Sequence, residues 1–120
     1  MPHRHFKVSR DESTNVLELA LPVVMDPAEF DKLNELVGEA AADAADQRWV
    51  VDLGQVEYVG SALLGLLVNL RQRVKSAGGR LVLSGLNDQV TKALQTCSLH
   101  NLFTIAANKD EALKKVKAMR

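Results

Sequence analysis

The sequence is short of most of the features that announce a specialised chemistry. It has one cysteine in 120 residues, so no disulfide can form within the chain. With no CxxC and no Cys/His ladder, structural zinc and a thioredoxin-like redox site are excluded on count. Aromatic residues make up 4% of the chain, and 15 basic residues are balanced by 15 acidic ones. A stacking platform for RNA and an electrostatic footprint for DNA are therefore both missing. The longest apolar run, Ala62 to Val68, stops at Asn69, far short of the roughly 18 residues of a membrane helix. The opening Met-Pro-His-Arg-His-Phe-Lys lacks the apolar stretch of a signal peptide, from which a cytoplasmic location is expected. Neither GxxxxGK nor GxGxxG occurs, so a phosphate loop of either familiar type is absent and no cofactor is expected.

What remains is a hydrophobic fraction of 47% distributed without repeats, low-complexity tracts or Pro/Gly/Ser linkers. That pattern predicts one globular domain over residues 1–120. His5 to Ser9 and Val16 to Leu21 alternate around Asp11-Glu12-Ser13-Thr14-Asn15, which predicts a hairpin. Pro22 ends the second strand. Asp26-Pro27-Ala28-Glu29 then supplies a cap, a proline at the first helical position and an acidic third residue. The helix that follows carries the stripe Phe30, Leu33, Val37, Ala40, Ala41 and Ala44, with Asp31, Lys32, Glu35, Glu39 and Asp43 on the other side.

Trp49 to Leu53 reads as a central strand, Ser61 to Ala77 as a helix ended by Gly78-Gly79, and Arg80 to Gly85 as a second buried strand. Strand, helix and strand in that span predict a parallel crossover. Asn87 caps a third helix that runs through Cys97, Leu102 to Ala106 is a last short strand, and Asn108 caps a last helix bearing Ala112, Leu113 and Val116. The order ββαβαβαβα predicts an α/β fold, a mixed sheet of about four to five strands with about four helices packed on it.

Candidate catalytic groups are few. His3 and His5 lie two apart with no third ligand in view, and the ordinary reading is that they hold no metal. Cys97 and His100 are close in sequence, yet the segment between them reads as a helix end and a turn. A nucleophile needs an orienting base and a third group, and none is evident. Cys97 is expected to be a small buried hydrophobe.

The informative stretch is Val56 to Leu67. At 100° per residue Leu63, Leu66, Leu67, Leu70, Val74 and Ala77 share one face of the helix. Ser61, Gly65, Val68 and Gln72 fall on the opposite one. Ser61 stands at the mouth of this helix, where its hydroxyl is expected to act as an N-cap. The same geometry suits a phosphate, which would meet free N–H groups and the positive end of the helix dipole. Leu64, Gly65 and Val68 are expected to form a partly exposed apolar patch beside it.

These residues resemble a STAS domain, the fold of bacterial anti-sigma factor antagonists and of the cytoplasmic tails of sulfate transporters. Trp49-Val50-Val51-Asp52-Leu53-Gly54 and the following loop through Val59 are similar to the family's central "DLsg" strand and loop. Ser61 to Gly65 stands at its "SSGLG" helix start, and Gly78 to Leu86 and Leu99 to Leu113 resemble its later segments. The departures are Gly60 for the usual aspartate, Ala62 for a serine, Leu63 for a glycine, and Pro22 for a glycine after the second strand.

The resemblance implies that Ser61 is the residue phosphorylated by a partner kinase. It further implies a non-enzymatic regulatory protein that binds an anti-sigma factor or related serine kinase and releases it on phosphorylation. The partner surface is expected to comprise Gly60, Ser61, Leu64, Gly65, Val68 and Gln72, with no direct contact to nucleic acid and no membrane insertion. A second reading keeps the fold without the switch: a STAS scaffold, or a subunit of a multiprotein sensor or lipid-transport complex. A third, a small enzyme using Cys97 and His100, lacks an orienting group.

Overall fold

Hydrophobic alternation along the strands decides which side of the sheet each helix must cover. In the computed structural model, which describes residues 4–43, 47–58 and 60–119, five strands and four helices follow one another in the expected order. They are β1 (Phe6–Asp11), β2 (Thr14–Leu21), α1 (Pro27–Asp43), β3 (Arg48–Val56), α2 (Ser61–Ser76), β4 (Arg80–Ser84), α3 (Asp88–Thr96), β5 (Thr104–Ala106) and α4 (Lys109–Ala118). The sheet order is β1-β2-β3-β4-β5, antiparallel between β1 and β2 and parallel from there on.

Because the order from β2 to β5 never reverses, three successive right-handed crossovers place α1, α2 and α3 on a single face. The residues agree. Leu17, Leu19, Trp49, Val51, Leu53, Leu81 and Leu83 point into one core with Phe30, Leu33, Leu67, Leu70, Val90 and Leu94 of those helices. The intervening Val16, Val50 and Val82 point the other way and meet Ala112, Leu113 and Val116 of α4. A strand buried on both faces reads as a continuous apolar run, which is why Trp49 to Leu53 stood out as central.

The helix ends follow from local chemistry. Asp26 Oδ1 accepts the Ala28 N–H at 2.7 Å, with Pro27 at the first helical position. At the other end of α2, Gly78 takes φ +79°, and the bonds Gly79 N–H to Val74 O (2.8 Å) and Gly78 N–H to Lys75 O (3.0 Å) close a Schellman turn. A Cβ on Gly79 would overlap the Gln47 carbonyl, so the turn also needs glycine for close approach. Asn108 Oδ1 accepts the Glu111 N–H at 2.9 Å and starts α4.

Lys117 Nζ sits 2.9 Å from Glu12 Oε2, tying α4 to the hairpin turn. Its hydrogen bond and charge lower the Glu12 pKa. The tie therefore persists above the ordinary carboxylate range and is lost as pH falls through the lowered value.

Several boundaries differ from expectation. The hairpin turn is only Glu12-Ser13, because Thr14 and Asn15 pair with Asp11 and Arg10. β5 begins at Thr104, since the Leu102 N–H is taken into a turn by Leu99 O (3.0 Å). Ala40 is only half-buried, Ala77 is exposed at the end of α2, and Ala44 lies outside the described residues. No described helix is long and apolar enough to cross a membrane. Leu67, 1% exposed in the α2 core, sets a test of the faces. Leu67→Ala should cost about 2–5 kcal/mol in urea denaturation, and Val68→Ala, on the half-buried flank, clearly less.

Candidate functional site

The C-terminal ends of β3 and β4 deliver the two helix starts that build the site. From Val56 the chain runs through Glu57 and Tyr58 to Ser61 at the head of α2, while from Ser84 it turns through Gly85 to Asn87 at the head of α3. Asp52 lies against both exits. Its Oδ1 accepts the Gly54 N–H at 2.9 Å, and a Cβ on Gly54 or Gly85 would come within 3.1 Å of that same oxygen.

Asn87 connects the exits more directly. Its Oδ1 accepts the Val90 N–H (2.8 Å) and caps α3, while its Nδ2 donates to Val56 O (2.9 Å) at the end of β3. One partner is a donor and the other an acceptor, and the oxygen and nitrogen of the one amide satisfy both at once.

Between α2 and α3 lies an open groove of about 480 Å³ lined by Gly60, Ser61 and Leu64 on one wall and by Gln89, Lys92, Ala93, Thr96 and Cys97 on the other. Lys92 is its one charged lining residue among those described.

Ser61 does not cap the helix, contrary to expectation. The N-cap is Gly60, in fully extended backbone (φ 179°, ψ 174°), and no side chain caps α2. The N–H groups of Leu63 and Leu64 instead reach Gly60 O at 3.1 and 3.3 Å. Ser61 is thus the first helical residue, with an exposed side chain. The early glycine moves the helix boundary one residue back and leaves the hydroxyl uncommitted.

Leu64 also differs from the expected partly exposed patch. At 8% exposure it belongs to the main core, so α2 buries a wider arc than one sheet-facing stripe. Val68 packs against that core from a half-buried position, and Gly65 is exposed with open space where a Cβ would be. Gln72 lies elsewhere, in a recess against α1 with Ala41, Ala42 and Arg73. Of the six expected surface residues, Gly60, Ser61 and Leu64 converge on the groove.

The α3 wall was not foreseen. Its signal was present in Val90, Ala93, Leu94 and Cys97, spaced to extend one apolar stripe. Cys97 is exposed rather than buried. It ends α3, and its edge of the stripe opens into the groove instead of onto the sheet. His100 is exposed in the following turn, and the two share no hydrogen bond, so no nucleophile pair is assembled. His5 is buried, with Nδ1 at 3.2 Å from Ala20 O and Nε2 at 3.4 Å from Glu29 Oε2; His3 lies outside the described residues. Among the described residues no group of three His, Cys, Asp or Glu is placed to hold a metal ion.

The site is thus an uncommitted serine on the rim of an open apolar groove in a small α/β domain. Comparison with known proteins gives its family. A family model described as Mlab, STAS domain matches residues 8–105, and the chain belongs to the STAS domain family. BtrV of Bordetella bronchiseptica, which carries the name of an anti-sigma factor antagonist, is 26% identical over 106 residues, covering 88% of this chain and 90% of that protein.

Solved structures show the same fold. A crystal structure from Thermotoga maritima, assigned to the same class of antagonist, has a TM-score of 0.82 at 20% identity over 93% of this chain and 94% of that one. The Bacillus cell fate determinant SpoIIAA in its phosphorylated form has a TM-score of 0.68 at 17% identity over 92% of this chain and 98% of that one.

Two substitutions test how the site is held. Asn87→Asp keeps the cap but sets an oxygen against Val56 O, so it should destabilise by about 1–3 kcal/mol. Asn87→Ser, which leaves Val56 O to water, should cost less in the same denaturation experiment. At position 60 a Cβ would meet the Tyr58 hydroxyl at 2.9 Å, and that ring is packed against Phe30 with centroids 5.3 Å apart. Gly60→Asp should therefore cost about 1–3 kcal/mol as an overpacking change. Tyr58→Phe should recover part of that loss, as a coupling in a double-mutant cycle.

Proposed function

We propose that this protein is a non-enzymatic regulator of the anti-sigma factor antagonist kind, docking a protein partner in the α2/α3 groove, with phosphorylation of Ser61 releasing that partner. The observation that carries this reading is the Ser61 side chain, exposed at the rim of an apolar groove and engaged in no cap. The class named for BtrV is regulatory, and the phosphorylated form of SpoIIAA supports a modified state for this fold. The partner expected is an anti-sigma factor, which in the phosphorylating case is itself a serine kinase or acts with one.

The physics of release is simple. Phosphate at Ser61 adds close to two negative charges at a helix N-terminus, where the helix dipole tolerates them. A partner seated over Leu64, Ala93 and Thr96 would have to desolvate that dianion, which is costly unless it offers cations. A loss of 1.4 kcal/mol already weakens binding tenfold.

The crowding of position 60 favours a second reading. Tyr58 occupies the space that the family's acidic residue would enter, so the acceptor's usual neighbour cannot be accommodated without repacking. On that reading the chain is a constitutive STAS scaffold or subunit that uses the same groove without a phosphate.

Affinity for the partner recovered from native cells separates the two. Because Ser61 makes no cap, Ser61→Ala should change stability by less than about 0.5 kcal/mol and retain full affinity. Ser61→Asp should fold at least as well as wild type, since a carboxylate in the first turn is favourable. It should bind at least tenfold more weakly, and Ala93→Glu should abolish binding in either case. Equal affinities for the alanine and aspartate variants, with no phosphate on Ser61 in the native protein, would remove the switch and leave the scaffold.

A further inference from the structure

At the far end of α2 from Ser61, a second concavity of about 240 Å³ gathers Arg71, Lys75 and Arg80 beside Thr104, Leu102 and Met119. The topology creates it. β4 starts at Arg80, but pairing with β5 begins only at Val82 opposite Thr104, so the first two residues of β4 have no neighbouring strand on that side. Arg71 and Lys75 are one helical turn apart on α2, and Arg80, the first residue of β4 after the Schellman turn at Gly78-Gly79, lines the same notch at the sheet edge.

No acidic side chain lines this notch among the described residues, and none of the three cations has a salt-bridge partner there. Arg71 is held in place by its Nε–H, which donates to Leu102 O at 2.7 Å and leaves the rest of its fork available. The Arg80 Nε is shut off from solvent and has no hydrogen-bond partner. A buried charged donor without an acceptor is a standing penalty, which a turn of the Arg80 side chain toward a ligand oxygen in the notch would remove. Arg48, the register neighbour of Arg80 on β3, adds positive potential with its own Nη1 bonded to Ser13 Oγ at 3.0 Å.

We propose that this notch binds the phosphate group of a small phosphorylated molecule. Three cations match a dianion better than a single carboxylate, and two guanidinium forks suit bidentate contact with phosphate oxygens. The volume is about eight times the ~30 Å³ share of a liquid water, room for a phosphate and the first atoms of its ester. Leu102, 41% exposed, and Met119 offer apolar surface to what the phosphate is attached to. The site is independent of the Ser61 reading, since it lies at the other end of the helix and uses none of the groove residues.

Inorganic phosphate, pyrophosphate and glycerol 3-phosphate are the probes, with acetate and chloride at matched ionic strength as controls. Backbone amide NMR of the full chain should show saturable shifts confined to Gly79, Arg80, Leu81 and Thr104, with a phosphate-dependent rise in melting temperature. Arg80→Gln and the surface change Lys75→Gln should each weaken binding at least tenfold, and Ser61→Ala should leave it unchanged. Shifts that grow linearly without saturating would overturn the proposal. So would an equal response to acetate, or unaltered binding in both Lys75→Gln and Arg80→Gln.

Discussion

The amide of Asn87 is the interaction on which the groove depends. It fixes the start of α3 through the Val90 N–H and, with its other end, the last carbonyl of β3 at Val56. Those two elements lead to opposite walls of the same groove, so a single planar group sets the spacing between them. Asp52 reinforces the arrangement from below, with a carboxylate so close to Gly54 and Gly85 that neither position has room for a side chain without movement. The geometry of the groove is thus a property of the strand ends, and the helices inherit it.

The one-directional strand order has a second effect. It commits three helices to one face and leaves the other to α4 alone. The groove stands at the carboxyl ends of β3 and β4, between the two helices into which those strands lead. The cationic notch lies at the opposite ends, where β4 begins before β5. The two concavities share α2 as a common wall but no residue.

Most of the architecture could be read from the chain because its punctuation is local. Asp26-Pro27, Gly78-Gly79, Asn87 and Asn108 each act within a few neighbouring residues, and each ends or begins a helix where expected. The largely apolar Trp49 to Leu53 and the core Leu81-Val82-Leu83 of the next strand declare double-sided burial by composition. The site was read less completely, because its character depends on what lies beside each residue.

Leu64 sits on the flank of the predicted stripe and is nonetheless part of the main core. Cys97 sits on an apolar stripe and is exposed only because that edge meets a groove. Ser61 lost its capping role to Gly60, a shift of one residue that propensity does not resolve. The second grip of Asn87 on Val56 spans 31 residues and has no signature in the sequence.

The position of Cys97 has a practical corollary. It is the sole cysteine of the chain, and it stands at the rim of the groove across from Ser61. A thiol-reactive fluorophore can therefore be attached to the unaltered protein at one defined point. Its emission would report polarity and occupancy of the groove directly, with no engineered reporter.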